Sequence, residues 1–250
     1  MARTSALLVS LAAAAVLTVT GVATSSAAGG ERTTSTARVA AAGHWVNTWT
    51  SMPQLTEPGN MPPAPFTQPG RVFADSTVRQ TVHVSVGGTH LRLRFSNAFG
   101  GAALPLTAVS VALPEGGRAG SAAVRAGTVR KVTFDGRSST VVPVGAEAVS
   151  DPLDLDLRAG SNLTVTLYLA DGQASDDITS HPGSRTTSYM VNGNHVADAD
   201  LGGAATTAHW YFLSGVEVWS RSSTAAAVVL GDSLTDGRVD RKSTRLNSSH

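Results

Sequence analysis

Thr77-Val-Arg-Gln-Thr-Val-His-Val-Ser-Val86, followed by Gly87-Gly88 and then Thr89-His-Leu-Arg-Leu-Arg-Phe-Ser96, is the stretch on which the fold turns. Val78, Val82, Val84 and Val86 fall on one side of an extended chain; Arg79, Thr81, His83 and Ser85 fall on the other. Leu91, Leu93 and Phe95 oppose Arg92 and Arg94 in the same way. Side chains alternate across a strand with period two, so each run reads as a strand with one apolar side. Two such runs around Gly-Gly predict a hairpin, because both glycines tolerate the positive φ that tight hairpin turns require.

Outward from this stretch, further strands are expected within residues 106–113, 123–133, 162–169, 187–191 and 209–219, separated by Pro and Gly clusters. That spacing predicts a mainly-β, antiparallel, jelly-roll-like β-sandwich over residues 44–222. Residues 53–69 hold six prolines and are expected to form a long irregular loop, since proline has no N–H to give a ladder. No internal repeat is visible, and no long 3.6-residue periodicity follows the first 25 residues.

The chain of 250 residues is 42% hydrophobic and 15% charged, a globular composition. It has no cysteine, which excludes disulfides, Cys-ligated zinc and a thiol nucleophile. The formal charge of +1 includes Arg3 near one end and Arg241, Lys242 and Arg245 near the other. Between those segments the chain is about neutral, so neither nucleic acid nor an anionic membrane is expected as a partner. His83, His90, His181, His195 and His209 show no second His or carboxylate at helical metal-ligand spacing. They read as ordinary strand and loop histidines, and no metal or cofactor is expected. Trp45, Trp49, Trp210, Tyr211 and Trp219 admit two readings, a sugar-stacking face or packing within the core and between domains. Asn162-Leu-Thr164 is a glycosylation sequon in form only, because the leader looks bacterial.

That leader is residues 1–28: Arg3 near the start, an apolar Ala/Leu/Val run from Ala6 to Val22, and small residues at Ser26-Ala27-Ala28. This is the layout of a cleaved secretory signal, so an extracellular protein without stable membrane insertion is expected. Residues 29–43 read as a disordered Ser/Thr/Ala-rich linker. Residues 240–250 break the composition and match, codon for codon, the translation of a common sequencing-library adapter. The natural reading frame is therefore expected to end near Val239.

Residues 225–230 form a continuous apolar run, as in a parallel strand buried on both faces, and lead into Gly231-Asp232-Ser233-Leu234. Here the sequence resembles the GDSL, or SGNH, hydrolase family. Trp45-Val-Asn-Thr-Trp49, Arg79-Gln-Thr-Val-His83, Arg94-Phe-Ser-Asn-Ala-Phe-Gly100 and Ser180-His-Pro-Gly-Ser-Arg-Thr-Thr-Ser188 are similar to secreted bacterial members in which a β-sandwich precedes the hydrolase domain. The resemblance covers about residues 44–239 and makes residues 223–239 the first strand and nucleophile turn of an α/β hydrolase domain. It implies Ser233 as nucleophile, with its backbone N–H in the oxyanion hole, and Gly231, Asp232 and Leu234 as motif residues. A hydroxyl presented in a tight strand-to-helix turn suits that chemistry. Thr235 stands where the second glycine of a Gly-x-Ser-x-Gly elbow would be. The family's Gly, Asn and Asp-x-x-His blocks are absent from this chain, so Ser233 alone is carried over.

The expected function is that of the N-terminal part of a secreted ester hydrolase that forms an acyl-serine on a small-molecule, lipid or acylated-carbohydrate ester. The present chain is expected to be inactive. The alternative is a non-catalytic β-sandwich module that binds carbohydrate or another surface.

Overall fold

A computed structural model describes residues 43–221, 223–232 and 235. The expected leader, nearly all of the linker, the last 11 residues, Ser233 and Leu234 lie outside the described residues.

The protein is mainly β, with antiparallel pairing throughout its ladders. A five-stranded sheet runs Gly43–Thr50, Leu213–Arg221, Gly88–Ser96, with Glu147–Val149 and Leu153–Leu157 both paired to the far side of Gly88–Ser96. A six-stranded sheet runs Ala205–Thr207, Ser188–Asn192, Ser76–His83, Asn162–Leu169, Ala108–Ala112, Arg130–Lys131.

The expected hairpin does not form. Ser76–His83 pairs with Asn162–Leu169 and Ser188–Asn192, whereas Gly88–Ser96 pairs with Leu213–Arg221 in the other sheet. Residues 84–87 carry the chain from one sheet to the other. Val84 still exchanges backbone hydrogen bonds with Gly160 and Ser161 beside the six-stranded sheet. The Ser85 N–H already donates to the Thr48 carbonyl, and the Val86 N–H to Thr48 Oγ1 at 2.8 Å, in the five-stranded sheet. Neither Gly87 nor Gly88 has a positive φ. Gly87 is needed for close approach instead: a Cβ there would lie 2.5 Å from the Leu157 carbonyl oxygen and 2.6 Å from the Ala159 nitrogen.

The crossover has a packing reason. Val78, Val82 and Val84 join Leu91, Leu93 and Phe95 in one core cluster, with Leu163, Val165, Leu167, Val216 and Val218 from both sheets. Each such side chain contributes about 1.5–3 kcal/mol on full burial. Crossing over lets the apolar sides of consecutive strands share a single interior.

The polar side of Ser76–His83 is buried as well as far as Thr81, and Arg79 is 1% exposed. Its guanidinium donates to Thr166 Oγ1 at 3.0 Å, to the Ala122 carbonyl at 2.5 Å and to the Asp198 carbonyl at 2.7 Å. The Thr77 hydroxyl donates to the Gly193 carbonyl. Segments around residues 120–124 and 193–201 thus seal this side and bond to each other, the Val124 N–H to the Ala199 carbonyl and the Leu201 N–H to the Ala122 carbonyl.

Other expected strands are interrupted. Residues 106–113 divide between Leu104–Leu106, which pairs with Thr140–Val142, and Ala108–Ala112 in the six-stranded sheet. Within residues 123–133 only Arg130–Lys131 is strand. Residues 209–219 break at Phe212, whose φ is +62°, into His209–Tyr211 and Leu213–Arg221. Gln80, itself buried, spans this break by donating from Nε2 to the Tyr211 carbonyl and accepting the Tyr211 N–H, satisfying a main chain that has left its ladder. The proline-rich residues 53–69 are mostly irregular, yet Gln54–Leu55 pairs with Thr179–Pro182 and Thr67–Gln68 with Arg71–Val72.

Candidate functional site

Residues 224–232 follow the last strand and form no strand or helix themselves. The apolar run, which reads as a strand buried on both faces only within a complete α/β sheet, is open here: Val228, Val229 and Leu230 are 66%, 79% and 77% exposed. The core cluster draws its residues from both sheets and includes none of residues 225–230. Gly231 and Asp232 are exposed. Gly231 approaches Thr235 so closely that a Cβ would overlap the threonine side chain, a crowding that only glycine accommodates. Ser233 and Leu234, the other motif residues, lie outside the described residues.

The upstream segments of the resemblance act as polar pins inside the β region. Asn97 Nδ2 donates to the carbonyls of Ala102, Val142 and Pro143 and so ties two loops to the end of Gly88–Ser96. Gln173 Nε2 donates to Asn97 Oδ1 at 2.7 Å. The Ser188 hydroxyl donates to the His209 carbonyl. These buried bonds replace lost water contacts of loop carbonyls, which explains specific polar residues there without assigning them catalysis.

All five histidines have side-chain or main-chain partners, His83 Nδ1 facing Asn162 Oδ1 at 3.1 Å. His195 Nδ1 faces Asp198 Oδ2 at 2.7 Å and Nε2 faces the Asn192 carbonyl at 2.9 Å. The Asp198 hydrogen bond raises its pKa above the usual imidazole value. His90 Nδ1 meets Asp154 Oδ1 at 2.5 Å on the surface. His181 stacks on Trp210 and faces the Met52 carbonyl. His209 accepts the Gly183 N–H, and burial lowers its pKa. No group of three or more His, Cys, Asp or Glu suited to a metal ion occurs among the described residues. A cleft of about 670 Å³, lined by Thr107, Phe134, Asp135, Arg137, Thr140 and Asp171 among others, contains no imidazole.

The aromatic residues separate into two groups. Tyr211 is fully buried, its ring edge-on to Phe73 and its hydroxyl donating to the Asn60 carbonyl. Burial raises its pKa well above that of a free phenol. Trp210 packs edge-on against Trp49 at 4.9 Å and donates from Nε1 to the Thr81 carbonyl. Trp45 and Trp219 stand opposite each other on the outer side of the five-stranded sheet, with ring centroids 5.5 Å apart at 72°.

Residues that the sequence reading passed over surround this second pair. Arg92 lies over the Trp45 ring at 4.5 Å and is paired to Glu217. Arg94 bridges Glu217 at 3.1 Å and Glu147 at 2.9 Å, and the Ser214 hydroxyl donates to Glu147. Burial would lower the Arg94 pKa, but the two carboxylates outweigh it and raise the value. The alternation of Arg92 and Arg94 with leucines marked this side as polar; their carboxylate partners lie on strands far along the chain.

No protein-family model matches the chain, and no curated protein matches it.

Proposed function

We propose that the chain is the N-terminal part of a secreted ester hydrolase of the GDSL, or SGNH, type. In this reading the two large sheets stack as a jelly-roll-like β-sandwich, and residues 223–239 open an α/β hydrolase domain. The observation that carries it is the apolar run Val228-Val229-Leu230, exposed beside a closed β core and leading directly into Gly231-Asp232-Ser233-Leu234. An exposed apolar run of this kind is a surface that further structure would cover, on both faces if it becomes a parallel strand.

Ser233 would attack the ester carbonyl, its hydroxyl proton passing to a base, its own N–H bonding the oxyanion, and the alcohol leaving. Water would then release the acid and regenerate the hydroxyl. No metal or cofactor takes part in this scheme. An isolated hydroxyl is a weak nucleophile at neutral pH, and the chain has no Asp-x-x-His to activate it. The two His–carboxylate contacts described above lie within the β region, where His195 ties down a loop and His90 pairs on a sheet surface.

The test is hydrolysis of p-nitrophenyl acetate and butyrate by this chain and by the product of the uninterrupted gene. Turnover is expected only from the latter, and Ser233→Ala should abolish it. Turnover by the present chain that disappears in Ser233→Ala would refute the need for a downstream base. Loss of no activity in the longer protein's Ser233→Ala variant would refute the nucleophile.

A further inference from the structure

The outer side of the five-stranded sheet is arranged in rows. Trp45 is opposite Trp219. Val218 is opposite Leu91, which places Trp219 abreast of His90, and His90 is opposite Asp154. The next row holds Asn47, Glu217 and Arg92. Because Leu91, Leu93, Val216 and Val218 point into the core, all of these side chains lie on the side away from it.

The two indoles meet as a floor and a wall. A Cβ on Gly43 would lie 2.7 Å from Trp219 Nε1 and 2.9 Å from Cε2, so the Trp219 ring rests over that glycine. Trp219 nevertheless remains 38% exposed, an unusual surface position for so large an apolar ring on an ordered strand. Trp45 stands at 72° to it and is backed by the Arg92 guanidinium. The guanidinium is in turn held by Glu217, whose side chain is nearly buried. The wall is thus fixed before any ligand arrives, which lowers the ordering cost of binding. Hydrogen-bonding groups border the corner: the exposed Asn47, and the His90–Asp154 pair. Arg92 and Arg94 are matched by Glu217 and Glu147, leaving no strong field to select a charged ligand.

We infer that this corner binds a neutral saccharide chain, with one sugar ring on Trp219 against Trp45. A pyranose offers an apolar C–H face to an indole and a rim of hydroxyls to flanking amide, imidazole and carboxylate groups. The balanced charge of the sheet surface favours uncharged sugars over uronates or phosphorylated glycans. The site uses none of the Gly-Asp-Ser-Leu residues, and its existence does not depend on the hydrolase reading. In a longer esterase it would hold the enzyme on an acylated polysaccharide.

The experiment titrates this chain with cellohexaose, xylohexaose, mannohexaose and chitohexaose by calorimetry and tryptophan fluorescence, and measures retention on insoluble cellulose, xylan and chitin. Submillimolar binding to at least one neutral glycan is expected, with polygalacturonate bound more weakly. Trp219→Ala should weaken binding by at least about tenfold, about 1.4 kcal/mol. Trp219→Tyr should retain part of it, and Asn47→Ala should weaken it severalfold with the fold intact by circular dichroism. Phe99→Ala, at an exposed aromatic elsewhere, should leave binding unchanged. Failure of the wild-type chain to bind any neutral glycan overturns the inference, as does equal affinity in Trp219→Ala and Asn47→Ala. Self-association lost in Trp219→Ala, without glycan binding, would assign the face to a second copy and equally overturn it.

Discussion

Ser76–His83 and Gly88–Ser96 are neighbours in sequence with the same alternating pattern, yet the protein uses their polar sides in opposite ways. The first lies inside the six-stranded sheet, and loops around residues 120–124 and 193–201 seal its polar side. Arg79 there is a buried cation satisfied mainly by carbonyls; burial lowers its pKa, opposed by Asp198 and Asp200. The second lies inside the five-stranded sheet with its polar side open, and Arg92 and Arg94 are satisfied sideways by carboxylates on adjacent strands. An arginine on a strand therefore reports nothing about solvent by itself. What differs is whether a loop returns to cover it, and with which acceptors.

The sharpest way to break this comparison is to remove the sealed cation. Arg79→Met should destabilise the chain by about 3 kcal/mol, since it strands buried carbonyls of both covering loops. Arg92→Met, on the open sheet, should cost about 1 kcal/mol or less. Urea unfolding followed by tryptophan fluorescence measures both, and equal losses would contradict the distinction. The crossover between the strands is tested next, by Gly87→Asn. In a hairpin the resulting Asn-Gly would be a preferred turn and neutral or stabilising. In the observed crossover the new Cβ meets the Leu157 carbonyl and Ala159, and a loss of about 1–3 kcal/mol is expected.

Smaller effects sharpen the open side. Glu217→Gln keeps the shape but weakens the hold on two partly exposed arginines, a loss of about 1 kcal/mol that should shrink as salt is added. The smallest effect belongs to the sealing loop. His195 has a raised pKa in the folded chain, so its contribution is complete below the unfolded value near 6.5 and is lost as pH rises through the higher folded value. The ring is partly exposed, and screening limits this to a few tenths of a kcal/mol. An NMR titration should find the His195 midpoint above 6.5, and Asp198→Asn should bring it down. A midpoint unchanged by Asp198→Asn would remove Asp198 as the cause.

Some of this was legible in the residues. The alternation of Val78, Val82, Val84, Leu91, Leu93 and Phe95 identified the side that enters the core, because side-chain direction along a strand is a local property. The Gly-Gly signal misled because glycine serves positive φ and close approach alike, and only the chain at Leu157 and Ala159 distinguishes them. The break at Phe212 had no visible cue, since the residue that stabilises it, Gln80, lies 131 residues before the Tyr211 main chain it bonds. For the candidate sites the division is similar. Trp45 and Trp219 were visible as aromatics, but their separation from Trp49, Trp210 and Tyr211 depends on which side of which sheet each occupies.

The sequence by itself determined a mainly-β chain, the apolar side of its strands, the absence of thiol chemistry, and the Gly-Asp-Ser-Leu stretch on which the ester-hydrolase proposal depends. These follow from residue type and short-range spacing. Tertiary structure alone decided that consecutive strands part into different sheets, that Arg79 is sealed while Arg92 is open, and that two tryptophans share an exposed corner. Those outcomes depend on pairing with strands far along the chain, and backbone hydrogen bonds carry no label for their partners. The choice among partners falls to packing that buries apolar surface while satisfying nearly all the polar groups it encloses.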